Sequence, residues 1–154
     1  MKNLTTNEVI VRHNFISKVL FKDGDASLSK DLKIKVMSMR IEYGKIHKVF
    51  DDDVQEFTKG ITSERFNELA SKQDRTEAET KEYQDLINQY NAEIQQYIAN
   101  RAEEEIAVND YSISEEEFNE ILEVNASNDV VINDQEIQAP DFLEAIHSIF
   151  VDNE

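Results

Sequence analysis

The feature of this sequence that most restricts its fold is a long apolar seam between residues 29 and 58. Its members follow one another at alternating spacings of four and three positions: Leu32, Val36, Met39, Tyr43, Ile46 and Phe50. This heptad spacing is typical of a helix that packs lengthwise against a partner. The spacing then shifts to Val54 and Phe57, which indicates that the helix continues while its packing partner changes. We therefore predict one unbroken helix over 29–58.

A second long helix is predicted over 77–100. Thr76 and Glu79 have the spacing of a capping box, which opens helices. The apolar positions that follow again recur at intervals of three and four. A shorter helix over 61–72 lies between the two long ones, so we expect the long helices to fold back on each other as an antiparallel hairpin.

The flanking segments are shorter and of mixed type. Thr5 and Glu8 predict a first helix over 6–20, and the chain has only 3 glycines and 1 proline, which disfavours an all-β fold. After the hairpin, the sequence predicts two short strands, a helix that opens at Ser114, a turn and a closing helix that begins near Pro140. The strands are 105–109 and 130–132, and the turn is Asn133-Asp134. The predicted fold class is mainly α: a long antiparallel helical hairpin with a short N-terminal helix (1–101) and a small acidic C-terminal α+β unit (102–154) packed on it.

Charge is distributed very unevenly along the chain. The net charge is −17, and residues 102–154 contain 16 acidic residues without any lysine or arginine. Such a segment repels nucleic-acid phosphates, so we expect no direct binding of nucleic acid. Between residues 28 and 50 the balance is reversed, and this basic side of the first long helix is the predicted resting place of an acidic C-terminal unit. Its cations are Lys30, Lys33, Lys35, Arg40, Lys45 and Lys48.

No catalytic, cofactor or metal site is legible in the sequence. Cysteine is absent, glycine-rich phosphate loops are missing, and His13, His47 and His147 have no second histidine three or four positions away. A calcium-loop register is half filled by Asp23, Asp25, Ser27, Ser29 and Asp31. It lacks glycine at the sharp turn, where Leu28 stands, and glutamate at the closing position, where Ile34 stands. We expect an ordinary loop there and a protein that is not an enzyme and has no cofactor or metal.

Neither a signal peptide nor an apolar run of about 18 residues is present, so we expect an intracellular protein that does not contact membranes. Candidate partner-binding residues are tyrosines of the two seams and glutamates of the acidic runs. The tyrosines either form a contact surface for another subunit or pack inside the hairpin, and the glutamates belong to solvated faces. These candidates are Tyr43, Tyr90, Tyr97, Glu103, Glu104, Glu115 and Glu116.

The order of these segments resembles an uncharacterised family of small tailed-bacteriophage proteins. The similarity comprises a short N-terminal helix, a lysine-rich long helix, an Ile106/Val108-type strand and two further helix openings. These openings are Thr76-Glu77-Ala78-Glu79-Thr80-Lys81-Glu82-Tyr83 and Pro140-Asp141-Phe142-Leu143. The resemblance implies a phage origin and a place among virion or assembly proteins, without any particular chemistry.

Two functional hypotheses follow. The first is a non-enzymatic phage structural or assembly protein, located in the virion or host cytoplasm, that contacts other virion proteins or copies of itself as a homo-oligomer or part of a larger assembly. The alternative is an acidic inhibitor that mimics nucleic acid and blocks a host defence or DNA-binding protein. The charge of residues 102–154 motivates the alternative.

Overall fold

The computed structural model describes residues 1–21 and 28–152, and it is mainly helical. The helices in these ranges are α1 (Thr6–Ile16), α2 (Lys30–Gly60), α3 (Glu64–Ser71), α4 (Glu77–Ala102), α5 (Glu115–Asn125) and α6 (Ala139–Phe150). The strands are β1 (Lys2–Thr5), β2 (Glu105–Val108), β3 (Val130–Ile132) and β4 (Gln135–Ile137). The predicted mainly α class is confirmed. Three residues of the calcium-loop register, Asp23, Asp25 and Ser27, lie outside the described residues.

The chain forms two compact units. The first consists of Met1–His47 and Glu105–Glu154, and the second is Lys48–Glu104. These bounds differ from the division at residue 101 that charge suggests. Helix α2 contributes its first part to one unit and its second part to the other.

In the first unit, the N-terminus pairs with the segment that follows α4. Strands β1 and β2 are antiparallel, with Lys2 opposite Val108 and Thr5 opposite Glu105. Thr5 also opens α1 through a capping box with Glu8, as its spacing predicts. Strand β1 was not predicted, because Leu4 is its only apolar residue and a single apolar position shows no alternation.

The core of the first unit is shared between α2 and the two ends of the chain. The first four residues of the α2 seam are buried there together with apolar residues of α1, α5 and α6. They are Leu32, Val36, Met39 and Tyr43, each 0% exposed. In this part of α2, the seam is therefore covered by the first unit's own helices.

Helix α1 ends at Ile16, four residues earlier than predicted. Its C-terminal carbonyl groups are satisfied by a side chain instead of by further helical turns. The Arg40 guanidinium donates hydrogen bonds to the carbonyls of Ile16, Ser17 and Val19 at 2.5–3.1 Å. A cation at this position also interacts favourably with the negative end of the helix dipole.

Strands β3 and β4 form a β-hairpin with a two-residue turn. Ile132 pairs with Gln135, and the intervening Asn133 and Asp134 have φ of 51° and 62°. Both are residue types that tolerate the left-handed region, which the favoured hairpin turns require. The predicted turn is confirmed, whereas β4 was not predicted.

In the second unit, the last part of α2 and α4 run antiparallel, as predicted for the hairpin, while the part of α2 up to His47 belongs to the first unit. Near the end of α2, the Phe57 ring stacks on Tyr97 with centroids 4.1 Å apart. Asp53, one turn earlier, accepts a bond of 2.5 Å from Arg101, one turn later. This reciprocal register is that of two helices running in opposite directions. Helix α3 packs on α4 through Phe66, which stacks on the Tyr83 ring.

Candidate protein-interaction site

The three candidate tyrosines do not form an exposed row. Tyr43 is 0% exposed in the core of the first unit, and Tyr90 is 9% exposed with its hydroxyl donating to Ser63 Oγ at 2.8 Å. Tyr97 is half-buried beneath Phe57. Packing inside the hairpin, one of the two interpretations left open by the sequence, describes Tyr97, whereas Tyr90 packs against Phe66 of α3 and Tyr43 lies in the core of the first unit. Tyr43 in particular has no surface with which to contact a partner.

The hydroxyl of Tyr43 is buried without a hydrogen-bond partner among the described residues. Burial raises the pKa of Tyr43, while the positive charge of Arg12 acts in the opposite direction. A hydrogen-bonding interaction with the Arg12 side chain also lowers this pKa, although its geometry falls outside that of a regular hydrogen bond. One of the Arg12 donors, Nη1, bonds the Ile149 carbonyl at 3.1 Å.

The four candidate glutamates are exposed, but two of them have partners within their own unit. Glu104 forms an ion pair with Arg101, and Glu115 Oε1 lies 2.9 Å from His147 Nε2. Glu103 and Glu104 belong to the second unit, and Glu115 and Glu116 to the first. The structure therefore does not gather them into one site.

The predicted contact between the basic side of α2 and the acidic C-terminal segment is made by Lys35. Lys35 Nζ lies 2.7 Å from Glu117 and donates to the Ser112 carbonyl at 2.9 Å. Burial would raise the pKa of Glu117, but the bonds from Lys35 and from the Ser114 backbone outweigh it, and the pKa is lowered. Since Glu117 also completes the capping box of α5, this ion pair links α2 to the start of α5.

A second carboxylate on α2 holds the segment after β2. Glu42 accepts two bonds of 2.9 Å from Asn109 and one of 2.7 Å from the Tyr111 hydroxyl. Burial alone would raise the pKa of Glu42, but these hydrogen bonds and the charge of Lys45 bring it below its ordinary value. Both carboxylates are thus committed to holding the fold together.

Helix α2 has a second apolar side that was not predicted from the sequence. Ile34, Met37 and Ile41 are 53%, 54% and 56% exposed, and their spacing of three and four places them along one line of the helix. At about 100° per residue, this line is nearly opposite the buried seam. We call these three residues the α2 stripe. Exposed Lys30 and Lys45 stand one turn beyond its two ends.

Single exposed apolar side chains are ordinary, but a row of three is not. A helix with apolar residues on opposite sides is expected to be covered on both. The described part of the chain covers only the seam side. The 34-37-41 spacing is present in the sequence, but each of these residues lies two positions from a residue of the longer seam, which gives the stronger periodic signal.

An apolar groove lies between α5 and α6 in the first unit. It encloses about 620 Å³ and is lined by Phe118, Leu122 and Leu143, with Glu144 and His147 also in its wall. Leu122 is 39% exposed within it. We call this concavity the α5–α6 groove.

A polar cavity of about 670 Å³ contains Lys35 and Glu117, but these two side chains neutralise each other. Within 1–21 and 28–152, no group of three histidine or carboxylate side chains is placed to hold a metal ion. None of the helices in those ranges has the length and apolar character needed to cross a bilayer.

In comparisons with known proteins, no family model, curated protein or solved structure matches this chain.

Proposed function

We propose that this chain is a non-enzymatic bacteriophage structural or assembly protein that acts through protein–protein contacts. The observation that carries the proposal is the α2 stripe, since three apolar side chains on one exposed helix line resemble the centre of an interface more than a solvated surface. The phage assignment is supported by the resemblance of residues 76–83 and 140–143 to tailed-phage proteins.

The arrangement of charged groups supports a contact function over catalysis. Lys35, Glu42 and Glu117 are all engaged in bonds that join α2 to the segment 109–117. A general acid or base must be free to exchange a proton with a substrate. These groups instead stiffen the helix that presents the stripe.

The test is a recovery experiment from infected cells, combined with mass spectrometry of purified particles. The tagged chain should recover virion proteins or untagged copies of itself, and Met37→Glu should abolish this recovery. Val131→Glu is the matched control, because Val131 is 55% exposed on β3 and is not a member of the stripe. Absence from particles, together with recovery of no phage protein, would overturn the proposal.

The alternative of a nucleic-acid mimic has one supporting observation, the 16 acids and no lysine or arginine of residues 102–154. Several of these acids make contacts inside the chain: Glu104, Asp110, Glu115, Glu117, Glu120 and Asp129. A mimic should bind basic DNA-handling enzymes at low salt and release them as salt is raised. Failure to bind such enzymes at low salt would eliminate this alternative.

A further inference from the structure

The first unit presents two surfaces with complementary shape and charge. The α2 stripe is convex and apolar, with an exposed lysine beyond each end. The α5–α6 groove is concave and apolar, and its wall includes Glu144 and His147, the latter bonded to Glu115. The elements that form the groove contain no lysine or arginine. A helix laid into an apolar groove is a common recognition mode, with anchors at positions like those of the stripe.

The lysines argue against the simplest use of the stripe, which is to pair with itself. In an antiparallel pair centred between Met37 and Ser38, Lys30 of one copy would lie beside Lys45 of the other. A parallel pair would place each lysine beside its own equivalent. Both arrangements bring like charges together at the edge of a desolvated contact, which is unfavourable.

We propose that the α2 stripe of one copy binds in the α5–α6 groove of a second copy. Ile34, Met37 and Ile41 would pack against Leu122 and Leu143, and the flanking lysines would meet the acidic wall of the groove. The two surfaces are different, so each copy retains one free groove and one free stripe after the first contact. Such a head-to-tail contact closes into a ring or continues as a filament.

This inference rests on the proposed contact function and names the partner as a second copy of this chain. The test measures the mass of the purified full chain by light scattering after size exclusion, over a wide range of concentrations. The wild type should form species larger than a dimer as concentration rises. Met37→Glu removes the stripe and Leu122→Glu removes the groove, and each variant alone should be monomeric, with self-association weakened by at least about tenfold.

Mixing the two variants provides the decisive measurement. Met37→Glu keeps an intact groove and Leu122→Glu keeps an intact stripe, so an equimolar mixture should form a one-to-one dimer and nothing larger. Val131→Glu should associate like the wild type. Lys30→Glu/Lys45→Glu, which changes only exposed side chains, should also weaken association and shows the effect without altering any apolar position.

Three outcomes would overturn the inference: a wild type that stays monomeric at every concentration, a mixture of the two variants that stays monomeric, or a Leu122→Glu variant that associates normally while Met37→Glu does not. The last result would show that the stripe pairs with itself. None of these bears on whether the chain is found in particles with other phage proteins, so the failure of this inference is distinguishable from failure of the proposed function.

Discussion

Removal of the buried hydroxyl of Tyr43 should stabilise the protein. The side chain is 0% exposed and its hydroxyl lacks a hydrogen-bond partner among the described residues. A buried polar group left unpaired costs about 1–3 kcal/mol of folding free energy. The variant also removes the attraction between this hydroxyl and Arg12, which offsets part of the gain, while Arg12 keeps its bond to the Ile149 carbonyl and its position 5.6 Å from the centre of the Phe150 ring. We therefore expect Tyr43→Phe to raise the free energy of unfolding by about 1 kcal/mol.

Tyr111→Phe is the matched control, since the Tyr111 ring packs edge-on against Tyr43 but its hydroxyl donates to the Glu42 carboxylate at 2.7 Å. Loss of a bond to a charged acceptor should lower the free energy of unfolding by about 1.5–2 kcal/mol. Urea unfolding followed by far-UV circular dichroism measures both variants, and an unchanged dependence on urea shows that the same surface is exposed. If Tyr43→Phe is destabilised as much as Tyr111→Phe, the Tyr43 hydroxyl has a partner and the reasoning is wrong.

Three further predictions concern the contacts of α2. The pKa of Glu42 is lower in the folded state than in the unfolded state, so its stabilising contribution is complete above the unfolded pKa and is lost as pH falls through the folded pKa. Between about pH 5 and pH 3, Glu42→Gln should therefore lose less free energy of unfolding than the wild type. Equal losses in the two proteins would contradict this prediction. A Cβ on Gly44 would lie 3.1 Å from His13 Nε2. Gly44→Ala should therefore raise the free energy of unfolding by about 1 kcal/mol, through helix propensity, in a His13→Ala background and by clearly less in the wild type. Equal gains in the two backgrounds, measured by thermal unfolding, would show that the His13 ring moves aside freely. Lys35→Met and Glu117→Gln should show a coupling energy of about 1 kcal/mol in a double-mutant cycle of unfolding free energies, because both side chains are mostly buried. If the two effects add within about 0.3 kcal/mol, the ion pair contributes nothing to stability.

Local signals in the sequence were sufficient for much of the secondary structure. The capping boxes at Thr5, Thr76 and Ser114 are formed as their spacing predicts, because each depends on residues only three positions apart. The turn at 133–134 is equally local, since it follows from the tolerance of asparagine and aspartate for positive φ.

Pairing between distant segments was beyond sequence reasoning. Strand β1 exists because Lys2 lies opposite Val108, and its four residues include only one apolar side chain, Leu4, so it lacks the apolar–polar alternation by which the strand at 105–109 was recognised. The groove likewise depends on the approach of α5 and α6, so its apolar residues could be assigned to helix faces but not to a concave surface.

Helix α2 shows most clearly which properties follow from the sequence and which follow only from the tertiary structure. Its length and its 3-4 spacing are properties of the chain itself, and they determine that a helix forms with apolar sides. Two such rows are present, one that includes Val36 and Met39 and one that includes Met37 and Ile41. Periodicity describes both equally well, because it reports the alignment of side chains along a helix and carries no information about what covers them. Only the tertiary structure, by packing the first row into the core and leaving the second exposed, decided which side of α2 is available to a partner.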